Sequence, residues 1–452
     1  MNHRPLKTAS LTLSALALAL AACSTTSAQG PVNQIQSTTT DGGLASGPPV
    51  DLAGHPNTTH GGTPDLAMSS NPMPNPVPAT LFGLHMKHAD TTTAWPTATF
   101  GAWRSWDAHV TWPYIEPARG TWQWTVLDEH VALAEQHGVE YLYTFGLSPP
   151  WASARPNESS GYGPGNAAEP ANLADWQEYV RQVATRYKGR IHYYEIWNEV
   201  NLTKFYTGSV DSMVALARTA YQTIKEIDPD AKVLCPSTTS GNTAWIDGYF
   251  SKGGDAVTDI VAYHFYVWPG PPENMLATIK KVQAVMAAHH LADRELWNTE
   301  AGWDIATSAG GSGGGVLDWD TASAYITRAY PLNWTAGVSR YFFYGWDDPA
   351  MGIVASDGKT LRPPAVAYGE MAKWLTGATL ADCATDPSKT YVCHLTRPDN
   401  YRAEIVWSTH NAGATWTLPS PARRALDLAG GTTDLTGKTT IAIGAKPVLV
   451  EY

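Results

Sequence analysis

Two glutamates close short apolar runs that lie far apart in the chain. One stands in Ile191-His192-Tyr193-Tyr194-Glu195-Ile196-Trp197-Asn198-Glu199-Val200-Asn201, the other in Leu296-Trp297-Asn298-Thr299-Glu300-Ala301-Gly302-Trp303. Apolar runs of this length read as buried strands, so each carboxylate falls at a strand's carboxyl end. Two carboxylates in one site divide acid–base work. One, kept protonated, donates to a leaving oxygen; the other, ionised, attacks carbon. Nearness helps, because like charges resist joint ionisation and raise the pKa of the acid. Breaking a glycosidic bond asks for such a pair.

Further side chains fall at comparable positions. Arg104, near the end of an earlier run, is placed either to hold a carboxylate ionised or to serve a structural ion pair. His264 and Tyr266 end the run Ala262-Tyr263-His264-Phe265-Tyr266, and Trp346 follows another. Trp151, Trp268 and Trp303 have flat apolar faces that suit a sugar ring and suit a core equally well. Glu195 precedes Glu199 by an even spacing, which in a strand puts both on one face, with Glu195 deeper as an interior ion-pair member. Glu116 reads as a loop or turn residue. The run Gly310-Gly311-Ser312-Gly313-Gly314-Gly315 lacks the Gly-Lys-Ser/Thr of a phosphate loop and reads as a flap or as disorder. His85 and His88 lack a third ligand, and His289-His290 falls at a helix end. With neither HExxH nor paired CxxC, no metal and no cofactor are expected.

The elements that must carry these residues alternate. Apolar runs occur at Thr80–His85, Gly101–Trp106, Glu140–Phe145, Ile191–Trp197, Lys232–Pro236, Asp259–Phe265, Glu295–Thr299 and Ser339–Tyr344, eight in all. Helical stripes separate most of them. Leu127, Val131 and Ala134 form one, ended by Gly138. Leu173, Trp176, Val180, Val183 and Tyr187 form another, closed by Gly189, and Met213, Leu216, Ala220, Ile224 and Ile227 a third, closed by Pro229. Eight strand–helix units predict an α/β fold, a (β/α)8 TIM barrel over 79–375, with its active face at the strands' carboxyl ends. Between the first two strands only the short, Thr-rich stretch Asp90–Ala98 is available, so the first helix is missing or replaced by a loop. Beyond 376 the runs Thr390–Leu395, Ala403–Trp407, Ala414–Leu418 and Pro447–Tyr452 predict a small antiparallel β-sandwich over 376–452.

The chain of 452 residues has room for both, and its 43% hydrophobic content supplies a large core. The net charge of −11, with no basic run, argues against nucleic acid as a partner. The 19 Trp and 21 Tyr suggest clefts as well as core. Cys383 and Cys393, close in sequence, suit a disulfide in an oxidising compartment, while Cys235 reads as a buried free thiol. At the amino terminus, Arg4 and Lys7 precede an apolar run from Leu11 to Ala22. At roughly 12 residues it is too short to span a bilayer. It ends Leu20-Ala21-Ala22-Cys23, which resembles the lipobox of bacterial lipoproteins. The resemblance implies removal of 1–22 as a signal peptide and lipidation of Cys23. Ser24 resembles an outer-membrane sorting residue, so the protein is expected to be exported and lipid-anchored, touching the membrane through that anchor only. A plain signal peptide is the alternative. Residues 23–78, rich in Ser, Thr, Gly and Pro, then form a flexible tether.

Trp197-Asn198-Glu199 after a fourth strand and Glu300 after a seventh resemble the retaining glycoside hydrolases of clan A. The stretches Arg104-Ser105-Trp106-Asp107, Trp112-Pro113-Tyr114-Ile115-Glu116-Pro117, Gly120-Thr121-Trp122-Gln123-Trp124 and Pro150-Trp151-Ala152 look like family 39 and its exopolysaccharide-processing relatives. The likeness implies Glu199 as general acid/base and Glu300 as nucleophile. It further implies Asn198 on the sugar 2-hydroxyl, a Tyr or His at 264–266 bonded to the nucleophile, and Trp346 as the sugar platform. The expected substrate is a polysaccharide or oligosaccharide, β-linked, with a bacterial exopolysaccharide favoured. A transglycosylase with the same site and a non-catalytic polysaccharide-binding lipoprotein are the rival readings. Sugar, linkage, endo or exo action and oligomeric state are not legible in the sequence.

Overall fold

A computed structural model describes residues 73, 76–307, 315–410 and 413–452. The signal segment, Cys23, most of the tether and most of the glycine-rich run lie outside the described residues. Eight parallel strands close a barrel in sequence order: β1 (Phe82–Leu84), β2 (Ala102–Ser105), β3 (Glu140–Phe145), β4 (Tyr193–Ile196), β5 (Lys232–Leu234), β6 (Ile260–Tyr263), β7 (Glu295–Ala301) and β8 (Val338–Phe343). β8 returns to β1 with Tyr341 beside Phe82 and Phe343 beside Leu84. Each of the eight apolar runs overlaps one of these strands, because a strand covered on both faces needs no regular polar alternation.

The helices are α1 (Trp112–Ile115), α2 (Thr125–His137), α3 (Leu173–Arg186), α4 (Val210–Ile227), α5 (Ala244–Tyr249), α6 (Met275–Ala288), α7 (Trp319–Thr335) and α8 (Pro363–Leu375). Their ends follow local chemistry. Gly138 closes α2 at φ 64°, a left-handed cap that costs a glycine little. Asn172, Ser209 and Asp318 cap α3, α4 and α7 by accepting from Ala174, Ser212 and Thr321. Between β1 and β2 there is no helix. The His88 carbonyl instead accepts from the backbone of Thr91, Thr92 and Thr93 in a tight turn. Three consecutive β-branched threonines disfavour a helix there.

After α8 come β9 (Thr379–Thr385), β10 (Thr390–Arg397), β11 (Tyr401–Ser408), β12 (Ala414–Thr417), β13 (Arg424–Leu426), β14 (Thr432–Asp434), β15 (Thr440–Ile443) and β16 (Val448–Glu451). Six form an antiparallel sheet ordered β14-β13-β16-β11-β10-β9, and β12 pairs with β15 as the second layer. Leu380, Leu395, Ile405, Trp407 and Leu449 belong to the same apolar core as the barrel. Leu418, Ala422, Ala425, Leu435 and Val450 make a smaller one. Cys383 and Cys393 sit opposite each other on β9 and β10 and are bonded; Cys235 is free and buried.

Candidate active site

β4 stops at Ile196, and the chain turns through positive φ at Trp197 (65°) and Glu199 (42°). Each such residue stores about 1 kcal/mol or more of strain, so neighbours must hold the bend. They do: Trp197 donates its amide to Phe145 and its indole to the Phe205 carbonyl, and the Val200 amide donates to Ser237. Glu199 is therefore delivered by a turn, whereas Glu300 still belongs to β7. Both are buried at the barrel's carboxyl-end mouth.

Beneath them lies Arg104 of β2, fully buried. Its Nε donates to Glu195 Oε2 at 2.6 Å, Nη1 to Glu300 Oε2 at 2.8 Å, and Nη2 to Asn198 Oδ1 at 2.7 Å. Thr144 and Thr299 hydroxyls complete Glu195, the deep ion-pair member expected from its spacing. Both roles considered for Arg104 are filled at once. Because Arg104 takes the Asn198 oxygen, the hydrogen-bonding capacity left to the Asn198 side chain is the donor NH2. Tyr266 donates to the other Glu300 oxygen, Oε1, at 2.9 Å. His264 Nδ1 lies 3.1 Å from Glu199 Oε1 and 3.8 Å from Glu300 Oε1.

Burial pushes the Glu300 carboxyl above its ordinary range, and the Glu199 and Asp107 charges push the same way. His264 and Arg104 pull it back. Burial, then the two glutamate charges, raises Tyr266 well above a normal phenol, so Tyr266 stays a proton donor. One atom each from Glu199, His264 and Glu300 lie within 4.8 Å of one another, the one grouping among the described residues with the spread of a metal site. Both Glu300 oxygens already accept hydrogen bonds, from Arg104 and Tyr266.

Glu199, Glu300, Asn198, Arg104, His264 and Tyr266 thus converge. The tryptophans do not. Trp346 is only 1% exposed, its ring against Tyr368, and has no face to offer a sugar. Strand β8 presents Tyr344 instead, whose hydroxyl donates to Asp107 Oδ2 at 2.6 Å. The Trp151 ring is covered by Arg119 at 4.7 Å and its indole is tied to the Glu116 carbonyl, an anchoring role away from the carboxylates. Trp303 is buried, its indole bonded to Gly270, while Trp268 remains 44% exposed on the loop after β6. Glu116 is no loose loop residue: it caps α1, buried, accepting from Trp112 and Gly120. Sequence reasoning missed Lys87, Asp107, Tyr162 and Tyr344. For Lys87, Asp107 and Tyr344 the available signal was a charged or phenolic residue within three positions of the ends of β1, β2 and β8; Tyr162, far along the segment after β3, had none.

What such carboxylates do on such a barrel is break a glycosidic bond, and the chain is a glycosidase. Residues 116–295 match the model of Glycosyl hydrolases family 39, a span from the end of α1 to the first residue of β7 that contains Glu199. A family 39 glycoside hydrolase from Bacteroides cellulosilyticus superposes with TM-score 0.67 at 19% identity, over 82% of this chain and 80% of that one. A family 39 β-xylosidase from Caulobacter crescentus gives 0.63 at 16%, over 85% and 98%. A family 51 arabinofuranosidase from Xanthomonas axonopodis gives 0.54 at 13%, over 83% and 96%. These three share the barrel, in agreement with the family likeness read from the sequence.

Proposed function

We infer that the protein is a retaining glycoside hydrolase acting on a β-linked polysaccharide or oligosaccharide. One observation carries this: carboxylate oxygens of Glu199 and Glu300 lie within 4.8 Å of each other. Retention needs carboxyls about 5–5.5 Å apart, while inversion needs about 6.5–9.5 Å to admit a water. Glu300 attacks the anomeric carbon and forms the glycosyl-enzyme. Arg104 and Tyr266 hold its charge and fix its direction. Glu199 first gives its proton to the leaving oxygen, then takes one from the water that releases the sugar. The Asn198 amide donates to the 2-hydroxyl, and Tyr344, not Trp346, supplies the wall beside the sugar. Residues 79–375 perform catalysis and 376–452 act as an accessory module. Similarity to a β-xylosidase supports the β-linkage. The lipobox-like segment at Cys23 supports export and a lipid anchor at the outer membrane, where an exopolysaccharide is the nearest polymer.

The test is a 2-deoxy-2-fluoro β-glycoside panel followed by peptide mapping, alongside turnover of aryl β-glycosides and purified exopolysaccharides. Label is expected on Glu300. Glu300→Gln should abolish labelling and lower kcat by about four orders of magnitude or more, since it acts in bond breaking itself. Label on another residue, or full turnover by Glu300→Gln, rejects the assignment.

A further inference from the structure

A second polar cluster lines the mouth beside the carboxylates, and apart from Tyr344 catalysis as described does not use it. Lys87 follows β1, Asp107 follows β2, Tyr344 and Asp348 follow β8, and Tyr162 lies on the long segment after β3. Lys87 Nζ donates to Asp348 Oδ2 at 2.7 Å, lies 3.6 Å from Asp107 Oδ2, and stands 4.8 Å over the Tyr344 ring. Asp107 accepts Tyr162 on one oxygen at 2.7 Å and Tyr344 on the other at 2.6 Å. Its backbone is held at φ 58°, a conformation a non-glycine residue keeps only where its surroundings insist. The cluster is near enough for Glu300 to act on the charges of Lys87, Tyr162 and Tyr344.

Accessibility separates this pair from the structural one. Arg104 and Glu195 are wholly buried and closely bonded, whereas the Lys87 and Asp107 side chains are 16% and 23% exposed and not in direct hydrogen-bond contact. An ammonium has three protons, and among the described residues Lys87 spends one on a side chain. Each carboxylate oxygen has a lone pair beyond the one a tyrosine fills. A spare donor and a spare acceptor, side by side, match a sugar hydroxyl, which accepts and donates at once, or two on adjacent carbons.

We propose that Lys87 and Asp107 are specificity residues that together read one hydroxyl, or an adjacent pair, of the sugar whose bond is cleaved. The proposal rests on the glycosidase reading but is tested by binding, without turnover. Calorimetry on Glu300→Gln protein measures a panel of aryl β-glycosides and their monodeoxy analogues. For the tightest binder, one deoxy analogue should bind about tenfold or more weakly, the size of a lost charge-assisted hydrogen bond. Adding Lys87→Met should bring parent and analogue within about threefold of each other; Asp107→Asn, with the same readout, serves should Lys87→Met fail to fold. A deoxy penalty unchanged in these backgrounds, no penalty for any hydroxyl, or no glycoside binding at all overturns the proposal. Fluorosugar labelling of the otherwise unaltered protein reports separately on Glu300, so loss of label with the hydroxyl coupling intact would remove the mechanism and leave this subsite standing.

Discussion

Arg104 bonds three side chains from two strand ends and a turn, something only a planar guanidinium with donors on three nitrogens manages. Its charge offsets Glu195 below and Glu300 above, so an ionised Glu300 carboxylate is tolerated in a buried place. Tyr266 finishes the job on the opposite oxygen. Removing its hydroxyl takes away a donor that favours the ionised form of Glu300, whose carboxyl burial already pushes up. The sign follows: with less support for the charge, the proton leaves at higher pH. Tyr266→Phe should therefore move the acid limb of the kcat/KM profile to higher pH and lower its plateau about 10–100-fold. An acid limb that stays in place or moves down would show that Tyr266 does not act through the nucleophile.

At the scale of elements, the catalytic pair is positioned by two different devices. Glu300 is carried by β7, where the register against β8 shifts between Asn298 and Ala301, while Glu199 depends on the strained turn after β4. β7 and β8 also press together at the mouth. Gly302 lies so close to the Tyr344 carbonyl that a Cβ would sit far inside van der Waals contact with its oxygen. Only backbone can give way. Gly302→Ala should displace the start of the segment after β8 and, with it, Tyr344. A shift of about 1 Å near the reacting centre costs roughly 100-fold in rate. The expected result is a folded protein with normal far-ultraviolet circular dichroism and kcat/KM down about 100-fold; unchanged kinetics would mean that this close approach is not what sets the mouth.

At the scale of the whole molecule, a buried ion pair of the barrel also reaches the C-terminal sheet. Glu273, after β6, accepts from Arg328 of α7 and from the Trp407 indole of β11, and Arg328 also donates to the Ala445 carbonyl. The Arg328 and Glu273 side chains are only 2% and 12% exposed, so losing one partner strands the other away from water. Arg328→Met should destabilise by about 3–5 kcal/mol, read from denaturant midpoints, with the sheet loosening before the barrel. A change below about 1 kcal/mol would mean that the shared apolar core alone holds the layers together.

Much of this was legible in the residues. Unbroken apolar runs located all eight barrel strands, since strands covered on both faces need no polar alternation. The Thr-rich gap before β2 foretold the missing helix, and Glu195 is the deep ion-pair member expected, whereas Glu199 reaches the mouth through a turn that strand spacing does not describe. Beyond α8, β9, β13, β14 and β15 escaped notice because half-exposed, mostly short strands leave weak periodicity. Chain order also cannot say which ring keeps a free face: Trp346 and Tyr344 are near neighbours, yet packing against Tyr368 buries the first and the mouth exposes part of the second. Periodicity is local and survives in one dimension. That Arg104 of β2 meets Glu300 of β7 as well as Glu195 and Asn198 depends on closing β8 onto β1, and that Lys87 stands beside Asp107 depends on pairing β1 with β2, long-range events that only the folded barrel decides.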